Sequence, residues 1–256
     1  MVKVWALAKT TLREMLREKV FMIVVVIAGG LLALSFLLGA LSFDEQRKIL
    51  TDFGFLAIQT AMLGISLFLG SYLISKEIEK QTCLLILSRP ITRGQFILGK
   101  MGGILALNTL VMGALAVLLF ALLKLWNNSE QWLSFIQICL SLWFESAVLL
   151  GIVIGLSLIV RPVLALAGGI MFFILGHSLE DLTFFANKSQ EQTFIDVVKF
   201  LHWVSPNFYR MNWKSAYFLE NGLPSDGILW MLSHMTGWLL LLILISQFLF
   251  KRKDIV

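Results

Sequence analysis

Of the 256 residues, 58% are hydrophobic and only 14% charged, with a mean hydropathy of +0.85, whereas a soluble domain carries roughly 45–50% apolar and about 25% charged residues. This balance excludes an ordinary soluble enzyme and a disordered chain, because so much apolar side chain cannot be kept in water. The surplus of 21 Lys+Arg over 16 Asp+Glu would suit nucleic acid or a membrane surface, and the positions of the charges decide between them.

In chain order, residues 1–19 read as an amphipathic helix. Val4, Ala8, Leu12, Met15 and Leu16 form one stripe, while Lys9, Arg13 and Arg17 step four residues apart. Such a helix lies along a bilayer surface, its stripe in lipid and its bases toward anionic headgroups. Residues 20–41 carry no charge and reach about 33 Å as a helix, enough to cross a hydrocarbon core. Further spans are expected at 53–75, 101–123, 132–160, 162–179 and 228–250. The fourth is longer than a bilayer requires, so it tilts or emerges at one end. These runs are continuous and lack the alternation of barrel strands. The expected fold is therefore all-α and integral to the membrane, with six spans forming one domain over 1–256.

The charges settle the orientation. Lys3, Lys9, Arg13, Arg17 and Lys19 flank the first span. Lys76, Lys80, Arg89, Arg93, Lys100, Arg161, Lys251, Arg252 and Lys253 fall on the same side, giving it a net +9 against −3 on the other. The positive-inside rule then places both termini in the cytoplasm. Trp126, Trp132, Trp203, Trp213 and Trp230 fall at or beyond the opposite ends of spans, as an aromatic belt would. The positive charge is thus explained by the membrane, and nucleic acid is not an expected partner. The first apolar run is also far longer than a signal peptide's core of roughly 7–15 residues.

Residues 76–100, on the cytoplasmic side, carry mixed charge, a short apolar run at 83–87 and a break at Ser88-Arg89-Pro90. This pattern predicts two short helices about a turn at Pro90. Reconnecting two spans needs far fewer residues, so the segment reads as a surface that docks something. The sequence Glu77-x-Glu79-x-x-Thr82, then Leu84-Leu85-x-Leu87-Ser88-x-Pro90-Ile91-x-Arg93, then Gln95-x-x-Leu98-Gly99-Lys100 resembles the signature of ABC-2 type transporter permeases. Within that family it looks most like the branch of multi-copper-enzyme and nitrous-oxide-reductase maturation permeases. The resemblance implies that 76–100 is a coupling region seated in a separate ATP-binding subunit, with Glu77, Glu79, Thr82, Ser88, Pro90, Arg93, Gly99 and Lys100 on the family pattern. It also implies two ATP-binding subunits, which hold ATP and magnesium, and a second permease copy, identical or paralogous. Gly94-x-x-x-x-Gly99-Lys100 mimics a phosphate-binding loop, but Met101 stands where Ser or Thr should hold magnesium, and the run leads straight into a span. This chain is therefore expected to bind no cofactor and not to hydrolyse ATP by itself.

The outer segment, 180–227, holds an aromatic helix candidate over 194–204, stopped at Ser205-Pro206-Asn207, and further aromatic residues up to Phe218. It resembles the short re-entrant helices that family members use as an outer gate, and Trp203, Pro206, Phe208 and Trp213 are the gate candidates. The plain alternative is an interfacial belt. Within the spans, Glu145 is the one deep carboxylate, and a charge there costs roughly 2.5–3.5 kcal/mol on insertion scales. Gln59, Asn108 and His234 are its expected companions, in a substrate path or an inter-helix tie. His177, His202 and His234 lack metal-ligand spacing, so no metal is expected. Gly99/Gly103 and Gly151/Gly155 permit close helix approach without proving a dimer.

These features make the chain the expected membrane subunit of an ATP-driven exporter in the cytoplasmic membrane. Two other readings stay open. One is a scaffold delivering energy or a small species to a periplasmic partner for metalloenzyme maturation. The other is a proton-coupled secondary transporter using Glu145, for which paired broken helices would be expected.

Overall fold

Long apolar runs without proline have one economical solution in lipid, since an α-helix satisfies every backbone polar group within itself. The computed structural model describes residues 2–42, 45–79, 91–126, 132–189, 191–218 and 225–252. Six helices among them are long and apolar enough to cross a membrane. The elements are α1 (Val2–Met15), α2 (Lys19–Leu41), α3 (Gln46–Gly64), α4 (Gly70–Glu79), α5 (Arg93–Trp126), α6 (Trp132–Ser157), α7 (Pro162–Ser189), α8 (Gln192–Val204) and α9 (Ser225–Arg252). A π-helical turn, Ile65–Leu69, joins α3 to α4 without a break. Two 3₁₀ turns, Tyr209–Met211 and Lys214–Phe218, follow α8.

The helices outrun the apolar stretches that predict them. The second span begins at Gln46 rather than 53, the third at Arg93 rather than 101, and the fifth runs ten residues beyond 179 to Ser189. Once a helix is nucleated each added residue gains a hydrogen bond, so polar ends continue it into the headgroup region. The fourth stops early, at Ser157, where the amides of Ile159 and Val160 both turn back to the carbonyl of Leu156.

α6 is the axis of the bundle. It packs against α3, α4, α5, α7, α9 and both 3₁₀ turns. Eighty-three per cent of its most apolar window is buried within the chain, against 22% for α2, 22% for α7 and 17% for α9. Gly151 of α6 lets Leu242 of α9 approach, since a Cβ there would lie 3.1 Å from that side chain.

The N-terminal helix departs from the expectation of a stripe sunk in lipid. Ala8, Thr11 and Met15 are buried, and α1 lies along the start of α5. The reason is the small residues of α5. A Cβ on Gly103 would sit 2.6 Å from Thr11 Cβ and 2.8 Å from the Ala8 carbonyl, and one on Gly99 2.6 Å from Leu7. Trp5 and Leu16 remain exposed and face outward from this seam. The final turn of α1 tightens through bonds from the Arg17 amide to the Glu14 carbonyl and from Glu18 to Met15. Glu18 is then extended, and α2 departs in a new direction.

Candidate functional site

Two polar assemblies stand out, one at the end of the bundle that carries most of the basic residues and one inside it. At the basic end, Lys100 of α5 pairs with Glu77 of α4 and, at 3.5 Å, with Glu14 of α1. Lys76 reaches Glu18 at 3.0 Å. Arg93 donates from Nη1 to the carbonyls of Phe250 (3.1 Å) and Lys251 (2.9 Å), the last turn of α9. These carbonyls belong to the last turn of the helix, where a guanidinium both bonds them and complements the helix dipole. Phe96 stacks on Phe250 beneath it, with ring centroids 5.4 Å apart and planes 12° from parallel.

Glu77, Arg93, Gly99 and Lys100 therefore tie α1, α4, α5 and α9 together, and Glu77 and Lys100 are buried. Thr82, Ser88 and Pro90, and the side chain of Glu79, lie outside the described residues, as does the expected turn at Pro90. Lys100, the apparent phosphate-loop lysine, is engaged by two carboxylates.

The interior assembly centres on Glu145 of α6, 1% exposed. Gln59 of α3 donates from Nε2 to both of its oxygens, at 2.9 and 3.2 Å. The Gln59 carbonyl oxygen accepts from Lys214 Nζ, which reaches in from the second 3₁₀ turn. His177 of α7 places Nε2 3.6 Å from Glu145 Oε1, and its Nδ1 lies 3.2 Å from the Phe173 carbonyl. An Nδ1–H donated to that carbonyl leaves Nε2 facing the carboxylate, beyond hydrogen-bond distance and paired with it electrostatically only when the ring is protonated. Burial pushes the Lys214 ammonium below the usual lysine range, and the attraction of Glu145 opposes that shift.

A second node adjoins the first. Asn108 of α5 donates to Ser66 Oγ (2.9 Å) and, at the limit of hydrogen bonding, to Ser146 Oγ (3.5 Å), while Ser66 donates to the Ser146 carbonyl (3.0 Å). Ser66 lies in the π-helical turn, a device that re-aims side chains and recurs at functional positions.

Of the companions expected for Glu145, Gln59 bonds to it directly and Asn108 sits in the neighbouring node. His234 does not join them. It stacks on Trp230 with centroids 4.7 Å apart, within reach of the Arg210 charge that lies 4.4 Å over the same indole. The reason is rotational: at this level of α9 Met231 and Met235 are the residues turned into the core, and His234 between them packs on Trp230. His177, grouped with the scattered histidines, takes its place. Lys214 was missed because nothing in a loop sequence tells that a 3₁₀ turn will drive one lysine inward. The nearest signal is the density of aromatic residues around it.

The outer-gate candidates also divide. Pro206 and Phe208 are buried against Gly176 of α7, where a Cβ would stand 2.5 Å from the Phe208 ring and 2.7 Å from the Pro206 carbonyl. Trp213 packs at the edge of the core. Trp203, 85% exposed, points away from all three. Among the described residues no cluster of His, Cys, Asp or Glu could hold a metal ion.

A family model described as ABC-2 family transporter protein matches residues 5–255, nearly the whole chain. The chain belongs to the ABC-2 family. It is accordingly an all-α, multi-pass membrane protein and the membrane subunit of an ABC transporter. Membership in this permease family implies an ABC ATP-binding partner. No curated protein matches the chain.

Proposed function

We propose that this permease exports a substrate across the cytoplasmic membrane, driven by two ABC ATP-binding subunits that dock on residues 76–100. Both termini lie in the cytoplasm in this reading, and two copies of the chain, or one with a paralogue, surround the path. ATP and magnesium belong to the partner subunits, and the chain has no hydrolytic role of its own. The substrate is unassigned.

The observation that carries the reading is the frame around the coupling region. Its two ends, α4 and the start of α5, are tied to α1 through Lys100 and Glu14 and to α9 through Arg93. A push on the intervening residues would therefore move four elements as a unit, the kind of rigid-body motion by which a soluble motor switches a membrane path. Within this scheme Glu77, Arg93, Gly99 and Lys100 hold the frame. Glu79, Thr82, Ser88 and Pro90 are the positions proposed to meet the ATPase. The basic charge of this end supports its placement in the cytoplasm.

The test is a mild-detergent pull-down of the tagged chain from its native host. A stoichiometric soluble ATPase, lost with Thr82→Arg and Ser88→Arg but retained by the parent, is the expected result. No ATPase, under conditions that preserve a control transporter complex, overturns the reading.

A further inference from the structure

Residues 205–218 do not lie on the outer ends of the helices but re-enter between them. Pro206, Phe208, Met211 and Tyr217 are buried. The Tyr217 ring packs 5.8 Å from Phe55 of α3, and Arg47 lies 5.8 Å over the rings of both Tyr217 and Phe218. Among these apolar anchors the segment carries one cation down to the polar interior, Lys214, bonded to the amide that binds Glu145. We propose that Lys214 is a charge latch, which holds residues 205–218 as a plug in the bundle through Gln59 and Glu145.

The argument is one of desolvation. An apolar plug alone could lift with little penalty into a membrane interface, where its aromatic rings are equally at home. Lys214 changes that. When Lys214 withdraws while the apolar anchors of the segment still cover the site, Glu145 is left with Gln59 and His177 but without its compensating charge, and a buried unpaired carboxylate is strongly unfavourable. The plug and the carboxylate are thereby coupled: whatever neutralises Glu145 loosens the plug, and whatever lifts the plug exposes Glu145 on that side of the membrane. Gln59 is suited to the relay because its amide donates to the carboxylate and accepts from the ammonium at once. The latch concerns this chain's own closure and does not depend on the transport reading, although that reading supplies a reason for it to open.

The experiment uses the full chain in membrane vesicles, with Cys83 and Cys139 replaced by Ala. Ser141→Cys serves as reporter, since Ser141 is fully buried one turn from Glu145 on α6. A membrane-impermeant maleimide is added from each face in turn. Lys214→Met should raise the labelling rate from one face roughly tenfold, within the range of coupled polar groups, while Lys214→Arg stays at the parent rate. Glu145→Gln, which keeps an acceptor for Gln59, should raise labelling to a similar degree. The double variant should label no faster than either single one. Where Lys214→Met does not accumulate, Glu145→Gln against the parent carries the test. Unchanged labelling in the neutralised variants, or effects that multiply in the double variant, overturns the latch. Labelling needs neither nucleotide nor partner, so a permease that captures no ATPase can still show the latch, and the two proposals fail separately.

Discussion

α2 and α6 are both long, strongly apolar and free of basic residues beyond the first position, yet they occupy opposite environments. Most of the apolar window of α6 is buried by other helices, whereas most of that of α2 is not. The difference lies in the polar minority. α6 buries Ser134, Ser141, Glu145, Ser146 and Ser157, while α2 buries one hydroxyl, Ser35. In hydrocarbon a polar side chain must find a partner on a neighbouring helix or on its own backbone. The span with several such groups is drawn to the centre, and the span without them can face lipid. Hydropathy thus locates spans, and the exceptions to hydropathy rank them.

The sharpest way to break this comparison is Glu145→Ala. It leaves the Gln59 amide without its acceptor and removes the carboxylate that His177 and the Lys214 charge face, and losing one partner of a buried ionic group costs about 3–5 kcal/mol. Thermal unfolding of the full chain in detergent should show the loss. Ser35→Ala, on α2, should change the same midpoint by about 0.5 kcal/mol or less, because the Ser35 hydroxyl has no hydrogen-bond partner among the described residues. Equal shifts would end the claim that polar content places α6 at the centre.

Close packing gives the next largest contrast. Gly103→Leu should strain the seam with α1 and destabilise by about 1–3 kcal/mol, with α1 becoming accessible to protease. Gly113→Leu, on the same helix but with nothing near its would-be Cβ, should be neutral or stabilising, since glycine is a poor helix former by about 1 kcal/mol. Loss of stability at both positions would mean that added bulk anywhere on α5, and not the seam with α1, sets the cost.

The smaller effects sharpen the picture at the basic end. Arg93→Ala removes two hydrogen bonds to the last carbonyls of α9 and should cost about 1 kcal/mol, read as faster hydrogen exchange in the final turns of α9. Lys48→Ala breaks an exposed pair with Glu45 at 3.7 Å and should cost about 0.3 kcal/mol or less. Similar effects from the two would show that the Arg93 tie is as solvated as a surface pair.

Much of this was legible from residues alone. Glu145 announces itself, because a carboxylate in a span must be paired, and Gln59 and Asn108 were findable as amides at comparable depth. The residues of the proposed coupling region came through the resemblance to ABC-2 permeases, yet sequence could not tell that Glu77 and Lys100 face each other while α1 closes over them. That depends on Gly99 and Gly103 admitting α1 to within van der Waals contact, a matter of two surfaces and not of one pattern. His177 and His234 show the same limit. Both are lone histidines in apolar helices, and only the rotation of α7 and α9 in the bundle decides which one reaches the carboxylate.

The sequence by itself determined the class of the molecule, the number of spans and the family, because these follow from the length of apolar runs, the placement of Lys and Arg, and a local motif. Each is set along the chain, where the bilayer acts as a solvent on every helix separately. Only the tertiary structure decided which helix is central, which helices anchor residues 205–218, and that Lys214 reaches Glu145 through Gln59. Those outcomes depend on helix rotation and on the fit of side chains far apart in sequence, and lipid, being equally apolar on all sides, supplies no local preference for either.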